Sequence, residues 1–444
     1  MLPASSKYAG QHHAILGMGA SGMAAARLAR RLGAEVTLLD DGDPGKIETA
    51  APRARAEGFT ILTGPDALTC GTAFALAILS PGIDPSWPLA QSVLRRGVPS
   101  VSEIEFAFQQ TTVPVIAVTG TNGKTTTTGL IAHLLAACGQ RTVPCGNYGP
   151  AFSEVVLAQE PLDVLTIEVS SFQLELIDRF HPRVAVWMNF APDHLDRHPS
   201  LEAYHLAKLR IFERQTASDT AVINHAETFP PLAARPVTFS AWLPDAMWSF
   251  REGAICYLDR SVIALADTKL RGRHNAENIM AALAAVTAWG LPLEQAAAHV
   301  ASFIPPRHRC EVVATLEGRE FLNDSKATNI HAMESALRGQ DRPVVLIAGG
   351  KDKGLDYAPV FPLIREKTTH VFTIGEIGPV LALIWPGAVP CQDLEDAVRR
   401  AFAASVAGQS ILFAPGTSSF DMFTGYGHRG DVFCQIVHQL LPTS

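Results

Sequence analysis

What the sequence has little of narrows its class before any motif is considered. Its seven cysteines (70, 138, 145, 256, 310, 391 and 434) are odd in number, scattered, and never spaced as CxxC. That excludes a disulfide framework or a zinc knuckle and suits a reducing compartment. Charged residues make up 18% of the chain, and the formal charge of −7 comes without a basic stretch. Nothing electrostatic is present with which to grip nucleic acid. No apolar run approaches the roughly 18 uninterrupted residues of a membrane helix. The opening segment, Met1 to His13, lacks the charged-then-apolar order of a signal peptide. These absences predict a cytoplasmic protein whose partners are small molecules, with neither nucleic acid nor membrane among them, and a monomer is expected.

What is present is a long globular chain. At 444 residues and 47% apolar content, it exceeds one ordinary core, so two to four domains are expected. The first block runs strand, glycine turn, helix, strand: HHAILG, Gly17-Met18-Gly19-Ala20-Ser21-Gly22, MAAARLARRLG, EVTLLDD. This is a βαβ unit, whose parallel crossover should be right-handed. FALAILSPGI adds a later buried strand ending near Ser80. A second block starts at Val113 with VPVIAVTG and continues through the strands DVLTIEVS, RVAVWMNF and AVIN. The runs VTFSAW and AICYLDRSVIAL read as β-hairpin material, and HNAENIMAALAAVTAWG as a helix stopped by Gly290. After the proline-containing IPPRHRCE, a third block alternates RPVVLIAGG, THVFTIG and SILFAPG with helices such as LEDAVRRAFAAS. The predicted class is α/β with three domains: 1–110, Rossmann-like; 111–304, a central P-loop-type mononucleotide-binding domain; and 305–444, Rossmann-like with its own sheet.

The strongest chemical signal is Thr119-Gly120-Thr121-Asn122-Gly123-Lys124-Thr125-Thr126, where a buried strand meets a helix. Small residues there let backbone N–H groups curl around phosphate oxygens at the positive end of the helix. Lys124 adds a mobile cation for a transferring phosphoryl group, and the Thr125 hydroxyl suits Mg²⁺. Val118 stands where the general GxxxxGK[ST] pattern has its first glycine.

TGTNGKTT resembles the ATP loop of the Mur ligase family, a superfamily that includes folylpolyglutamate synthases. Further motifs appear in that family's order across nearly the whole chain. Glu168-Val169-Ser170-Ser171-Phe172-Gln173-Leu174, Asn189-Phe190-Ala191-Pro192-Asp193-His194-Leu195-Asp196-Arg197-His198 and Tyr204-His205-Leu206-Ala207-Lys208 match the strand, histidine and lysine motifs of its D-glutamate-adding members. Gly272-Arg273-His274-Asn275-Ala276-Glu277-Asn278, His308-Arg309 and Asn323-Asp324-Ser325-Lys326-Ala327-Thr328-Asn329 complete the series. Each string alone is weak; their joint order is specific.

The resemblance implies ATP-dependent ligation of D-glutamate to UDP-N-acetylmuramoyl-L-alanine through an acyl phosphate. Two anions must approach one another in such a reaction, so the site needs cations and rigid positioning. Glu168 would hold Mg²⁺ alongside Thr125, and His194 a second Mg²⁺ against the acceptor carboxylate. A lysine such as Lys208 is ordinarily a solvated cation. The resemblance implies instead that it takes up CO₂ as a carbamate, which requires a neutral amine with a lowered pKa. It also implies that Asn275, Asn278, Arg309 and Asp324 surround ATP, Arg309 at the γ-phosphate and Asp324 at a ribose hydroxyl.

Gly17-x-Gly19-x-x-Gly22 with Asp40 downstream is a dinucleotide fingerprint that, standing alone, would suggest NAD(P). Beside a ligase constellation, the pyrophosphate of a UDP-sugar is the alternative occupant of the same helix end. Gly19, Ser21, Asp40, Asp41 and Ser80 then become UDP-substrate contacts, with Asn147 and Ser170 near the sugar-peptide end. Tyr148 stands there where the family has an aliphatic residue. For the incoming glutamate the resemblance points to Lys353, Thr328, Ser419 and Tyr426, with Lys351 as a rival to Lys353. A dianionic amino acid demands such converging donors. No DNPR-type string, associated with diaminopimelate- or lysine-adding relatives, is present. A folylpolyglutamate synthase would not carry the whole first block. D and L stereochemistry are both compatible with these donors.

Overall fold

The structure is a computed structural model that describes residues 7–194 and 197–440. The first six residues of the opening segment and the Leu195-Asp196 step of the histidine motif fall outside those residues. The chain divides into two compact units: residues 1–240, 245–248 and 279–300 form one, and 241–244, 249–278 and 301–444 the other.

The first unit contains two sheets. Strands β1 (His12–Leu16), β2 (Glu35–Asp40), β3 (Thr60–Thr63), β4 (Leu76–Leu79) and β5 (Ser100–Ser102) lie in the order β3-β2-β1-β4-β5. All pairs are parallel. The order reverses direction between β1 and β4, the switch point at whose strand ends open α/β sheets take ligands. The helix Ala20–Arg31 follows β1 through the glycine turn. It packs so tightly there that a Cβ on Gly22 would sit 1.9 Å from the Gly17 carbonyl oxygen, and only glycine fits.

The second sheet, which has nine strands, includes β6 (Val115–Thr119), β7 (Thr142–Gly146), β8 (Val164–Glu168), β9 (Val184–Trp187), β10 (Thr220–Asn224) and β11 (Arg235–Ser240). These six run in the order β11-β10-β9-β6-β8-β7, every pair parallel. Arg235–Ser240, which includes VTFS, pairs parallel with β10, and AICY and RSVIA pair antiparallel, as hairpin material does.

The two blocks of this unit share one hydrophobic core, in which Ile15, Ile104, Phe106, Val115 and Trp187 are wholly or almost wholly buried. Two carboxylates from the helix Glu103–Phe108 reinforce the junction. Glu105 accepts from the backbone N–H groups of Asp178, Arg179 and Phe180 at 2.9, 3.0 and 2.8 Å. Glu103 accepts from Ser153 N at 2.6 Å. Charge-assisted hydrogen bonds contribute about 1.5–3 kcal/mol each, so the three to Glu105 are among the stronger polar links between the blocks.

Strands β12 (Trp248–Arg251), β13 (Ala254–Tyr257) and β14 (Arg260–Ala264) come next, β13 and β14 being the antiparallel pair. The helix Arg273–Trp289 ends at Gly290, as its sequence predicts. The third sheet, in the second unit, comprises β15 (Glu311–Leu316), β16 (Arg319–Asn323), β17 (Val344–Gly349), β18 (Thr368–Ile374), β19 (Ala388–Pro390) and β20 (Ser410–Phe413). Its order is β15-β16-β20-β17-β18-β19. Only β15 and β16 pair antiparallel, so the sheet is mixed. The architecture is thus α/β with three sheets.

Candidate active site

In the first unit the phosphate-type loop leaves β6 and enters the helix Lys124–Ala137, whose first turn holds Lys124, Thr125 and Thr126. Gly120 adopts φ +143°, and a Cβ there would meet Met188 Cβ at 2.8 Å. Asn189 fastens the loop: its Oδ1 accepts from Asn122 N at 2.8 Å and its Nδ2 donates to Asn122 O at 3.2 Å. Thr121 Oγ1 accepts from Ala191 N at 3.0 Å. The loop's shape is therefore set by the histidine motif, 70 residues downstream.

Lys124 Nζ donates to the carbonyls of Gly120 and Thr121 at 2.9 and 2.8 Å. Lys208, on the helix Leu201–Leu209, is 1% exposed, and its Nζ donates to the same Gly120 carbonyl at 2.9 Å. The ammonium also lies over the Tyr204 ring, 4.7 Å from its centroid. Burial holds the Lys208 pKa well below the ordinary lysine value, and the charge of Lys124 pushes it further down, against the pull of Asp193 and Glu168. A buried amine made easier to deprotonate is the state that reacts with CO₂.

Glu168 closes β8 and is 2% exposed. Its Oε1 accepts from Asn147 Nδ2 at 2.7 Å, while Oε2 is buried with no hydrogen-bond partner. An orphaned buried carboxylate oxygen is costly unless a cation or donor meets it. Its proximity to the phosphate-type loop makes it fit for a hard divalent cation such as Mg²⁺. His194 sits at φ +56° with its side chain 42% exposed. Its ring packs 5.0 Å from Phe172 and 5.9 Å from Tyr204. The structure thus brings together Lys124, Asn147, Glu168, His194 and Lys208.

Ser170 is used locally. Its hydroxyl accepts from Gln173 N at 3.3 Å, and Gln173 Oε1 accepts from Ser170 N, a capping box on the helix Ser171–Leu174. In the first block, Asp40 is likewise committed to the backbone, accepting from Met18 N at 2.7 Å and Gly42 N at 2.9 Å. Ser80 Oγ donates to Gly17 O at 3.2 Å. Asp40 and Ser80 therefore brace the glycine turn from both sides. Gly19 caps the exposed helix start without a side-chain bond, Ser21 follows in its first turn, and Asp41 is half-buried beside Asp40.

The second unit groups the other predicted residues. Asn278 Nδ2 donates to Asn275 Oδ1 at 2.8 Å, and Asn275 Nδ2 to Arg271 O at 2.8 Å, so both amides are fixed on one helix face. Asp324 accepts from Cys310 N at 3.2 Å; burial pushes its pKa up to about 6, opposed by the nearby Arg309 charge. Lys353 Nζ donates to Thr328 O at 3.1 Å, uniting two of the predicted glutamate residues. Lys351 instead bridges to Ser418 through its backbone. Ser419 is 2% exposed, and Tyr426 begins the helix Tyr426–Leu440 with the Lys326 ammonium 3.9 Å from its ring centroid.

Several organising residues escaped the sequence reading. Arg429, fully buried, donates to the carbonyls of Thr417 and Ser325 and to Ser325 Oγ, tying the Ser419 loop to the Asp324–Thr328 loop. Glu227 accepts from Trp187 Nε1 and Phe190 N, both at 2.5 Å, and steadies the start of the histidine motif. Arg197, in the histidine motif, pairs with Asp84 and Glu175. Only its position beside His194 offered a signal.

Residues 118–286 match the Mur ligase middle domain and residues 308–416 the Mur ligase, glutamate ligase domain. A UDP-N-acetylmuramoylalanine–D-glutamate ligase of Syntrophotalea carbinolica is 38% identical, the alignment covering 98% of this chain and 99% of the relative. One from Bacillus cytotoxicus is 36% identical, covering 98% and 99%. Among solved structures, a UDP-N-acetylmuramate-alanine ligase of Thermotoga maritima aligns over 97% of this chain and 99% of its own, with a TM-score of 0.59 at 17% identity. A Mycobacterium tuberculosis folylpolyglutamate synthase aligns over 74% of this chain and 92% of its own, with a TM-score of 0.56 at 18% identity. The chain belongs to the Mur ligase family.

Proposed function

We propose that this chain uses ATP to join D-glutamate to the free carboxylate of UDP-N-acetylmuramoyl-L-alanine, an amide-forming step of peptidoglycan precursor synthesis. The observation that carries the chemistry is the convergence of the Lys124 loop, the orphaned Glu168 oxygen and the buried Lys208 amine. The choice of substrates rests on full-length relatives bearing that activity in their names.

In this scheme an acceptor carboxylate oxygen attacks the γ-phosphorus of ATP and ADP departs. The glutamate amine then attacks the acyl carbon, phosphate leaves, and the amine's proton is lost. Lys124 and the loop N–H groups orient the phosphates. Mg²⁺ ions, when bound, neutralise charge between the two anions; Thr125, Glu168, His194 and a carbamylated Lys208 are their assigned ligands. Asn275, Asn278, Arg309 and Asp324 serve ATP, the Gly19–Ser21 turn with Asp40, Asp41, Ser80, Asn147 and Ser170 the UDP-linked acceptor, and Thr328, Lys353, Ser419 and Tyr426 the glutamate. The three functional blocks are assigned to 1–110, 111–304 and 305–444. No helix among the described residues is long and apolar enough to cross a membrane, and the reading is of a cytoplasmic monomer.

The decisive experiment is product mass spectrometry with ATP, UDP-N-acetylmuramoyl-L-alanine and each glutamate enantiomer. A D-glutamyl adduct formed with stoichiometric ADP supports the assignment. Preferred L-glutamate turnover would overturn the stereochemistry, and no adduct with either enantiomer would overturn the function.

A further inference from the structure

Arg197 forms a buried polar junction that the reaction scheme leaves unused. Its side chain is 10% exposed, and it pairs with two carboxylates from different blocks of the first unit. Nε meets Asp84 Oδ2 at 2.9 Å, and Nη2 meets Glu175 Oε2 at 2.8 Å. Nη2 also donates to Ile83 O at 3.2 Å. The guanidinium lies 4.7 Å from the Phe172 ring centroid, and the same ring packs against His194 and stacks on His198.

Each end of this junction leads to a different part of the acceptor site. Asp84 organises the loop after β4, its Oδ1 accepting from Ser86 N at 2.7 Å and Ser86 Oγ at 2.6 Å. Ile83 N bonds back to Ser80 O, so the loop that Arg197 holds is the one presenting Ser80. At the other end lie Phe172 and His194. Nearby His198 bonds Ser171 Oγ at 2.9 Å and faces Glu175 Oε1 at 3.6 Å; burial and then the Arg197 charge pull its pKa down to about 4. At neutral pH the imidazole beside the guanidinium is therefore uncharged.

We infer that Arg197 is a positioning residue that fixes the span between the Ser80 loop and His194, and so sets the distance between the diphosphate and carboxylate ends of a long acceptor. This rests on the functional reading above. The acceptor bridges both blocks, whereas ATP and glutamate do not depend on the Ser80 loop. A planar fork presents fixed donors to both carboxylates at once, whereas a lysine ammonium is a point charge without that geometry.

The test is steady-state kinetics on Arg197→Ala, Arg197→Lys and Asp84→Asn, with calorimetric titration of UDP-N-acetylmuramoyl-L-alanine into each. Arg197→Ala should raise the acceptor KM and Kd about tenfold or more, since small misplacements are costly in a preorganised site. KM for ATP and for glutamate should stay within about twofold. Millimolar guanidinium should recover part of the acceptor affinity in Arg197→Ala and none in wild type. Asp84→Asn, which leaves the guanidinium in place, should shift the acceptor alone and by less, and Arg197→Lys should fall between. A uniform loss across all three substrates, an unchanged acceptor Kd, or no response to guanidinium would overturn the inference. If wild type makes no adduct, the functional reading fails first, and that result is separable because wild type is assayed alongside.

Discussion

Lys124 and Lys208 direct their ammonium groups at one acceptor, the carbonyl oxygen of Gly120, each at 2.9 Å. A carbonyl has two lone pairs and accommodates both bonds, but the arrangement sets two like charges side by side in a buried place. The strain falls on Lys208, which is the more deeply buried of the two.

Lys208→Met should therefore abolish ligation and yet raise the melting temperature of the unliganded protein by a few degrees in bicarbonate-free buffer. The folded pKa of Lys208 lies below its ordinary value of 10.5. Between those two values the unfolded chain binds more protons, so stability rises with pH. The advantage of the methionine should shrink as the pH is raised toward 10.5. Differential scanning calorimetry across that range checks both points, and a variant that melts lower at neutral pH contradicts the account.

A neutral amine beside Glu168 and Lys124 is also the precondition for a carbamate. Incubation with ¹³C-bicarbonate should give a carbamate carbonyl resonance that is absent in Lys208→Arg. Activity should fall when CO₂ is stripped from the assay and return on adding bicarbonate. No resonance from an active wild-type sample would remove the carbamate from the scheme.

Glu168→Gln keeps an oxygen for Asn147 but takes the charge from the site. Loss of one preorganised electrostatic group costs about 10²–10³ in turnover, and the expected fall in kcat is of that size. The Mg²⁺ concentration for half-maximal rate should rise, while thermal stability should hold or improve because a buried charge is gone. An unchanged Mg²⁺ requirement would show that the orphaned oxygen faces something other than a cation.

The strand–loop–helix at Gly120–Lys124 was legible because its chemistry is local: a glycine turn, a helix start and a lysine lie within a few positions. The parallel sheets were legible for the same reason, through apolar runs separated by helices. The contacts that hold the site in shape were not. Arg197 reaches Asp84 across 113 positions, and Glu105 gathers three amides more than 70 positions away. No periodicity records such pairs, since a carboxylate destined for buried backbone amides has the same local sequence as one left in water. Ser170 was legible in another way: the S-x-x-Q spacing is that of a capping box, and its hydroxyl does cap the helix that follows.

Asp324 supplies a pH signature for the ATP side of the site. Burial raises its pKa to about 6 from an ordinary 3.8, against the attraction of Arg309. Between those values the folded state binds more protons than the unfolded chain, so this group's contribution to stability is present at low pH and is lost as pH rises through about 6. Ligand binding runs the other way. A ribose hydroxyl needs the ionised carboxylate as acceptor, and that form dwindles as pH falls below about 6. If only the ionised form binds well, the apparent affinity for ATP should drop about tenfold one unit below the pKa. Asp324→Asn should bind ATP weakly at every pH, with no inflection near 6. The measurement is ATP KM, or fluorescent-nucleotide affinity, from pH 5 to 8 in both proteins. A flat wild-type profile would mean that Asp324 does not receive the ribose: burial drives the neighbouring Cys310 thiol well above its ordinary range, and His308, whose ring bonds the adjacent Asn323 and whose pKa burial lowers, is retained in Asp324→Asn, so the comparison of the two proteins removes its contribution.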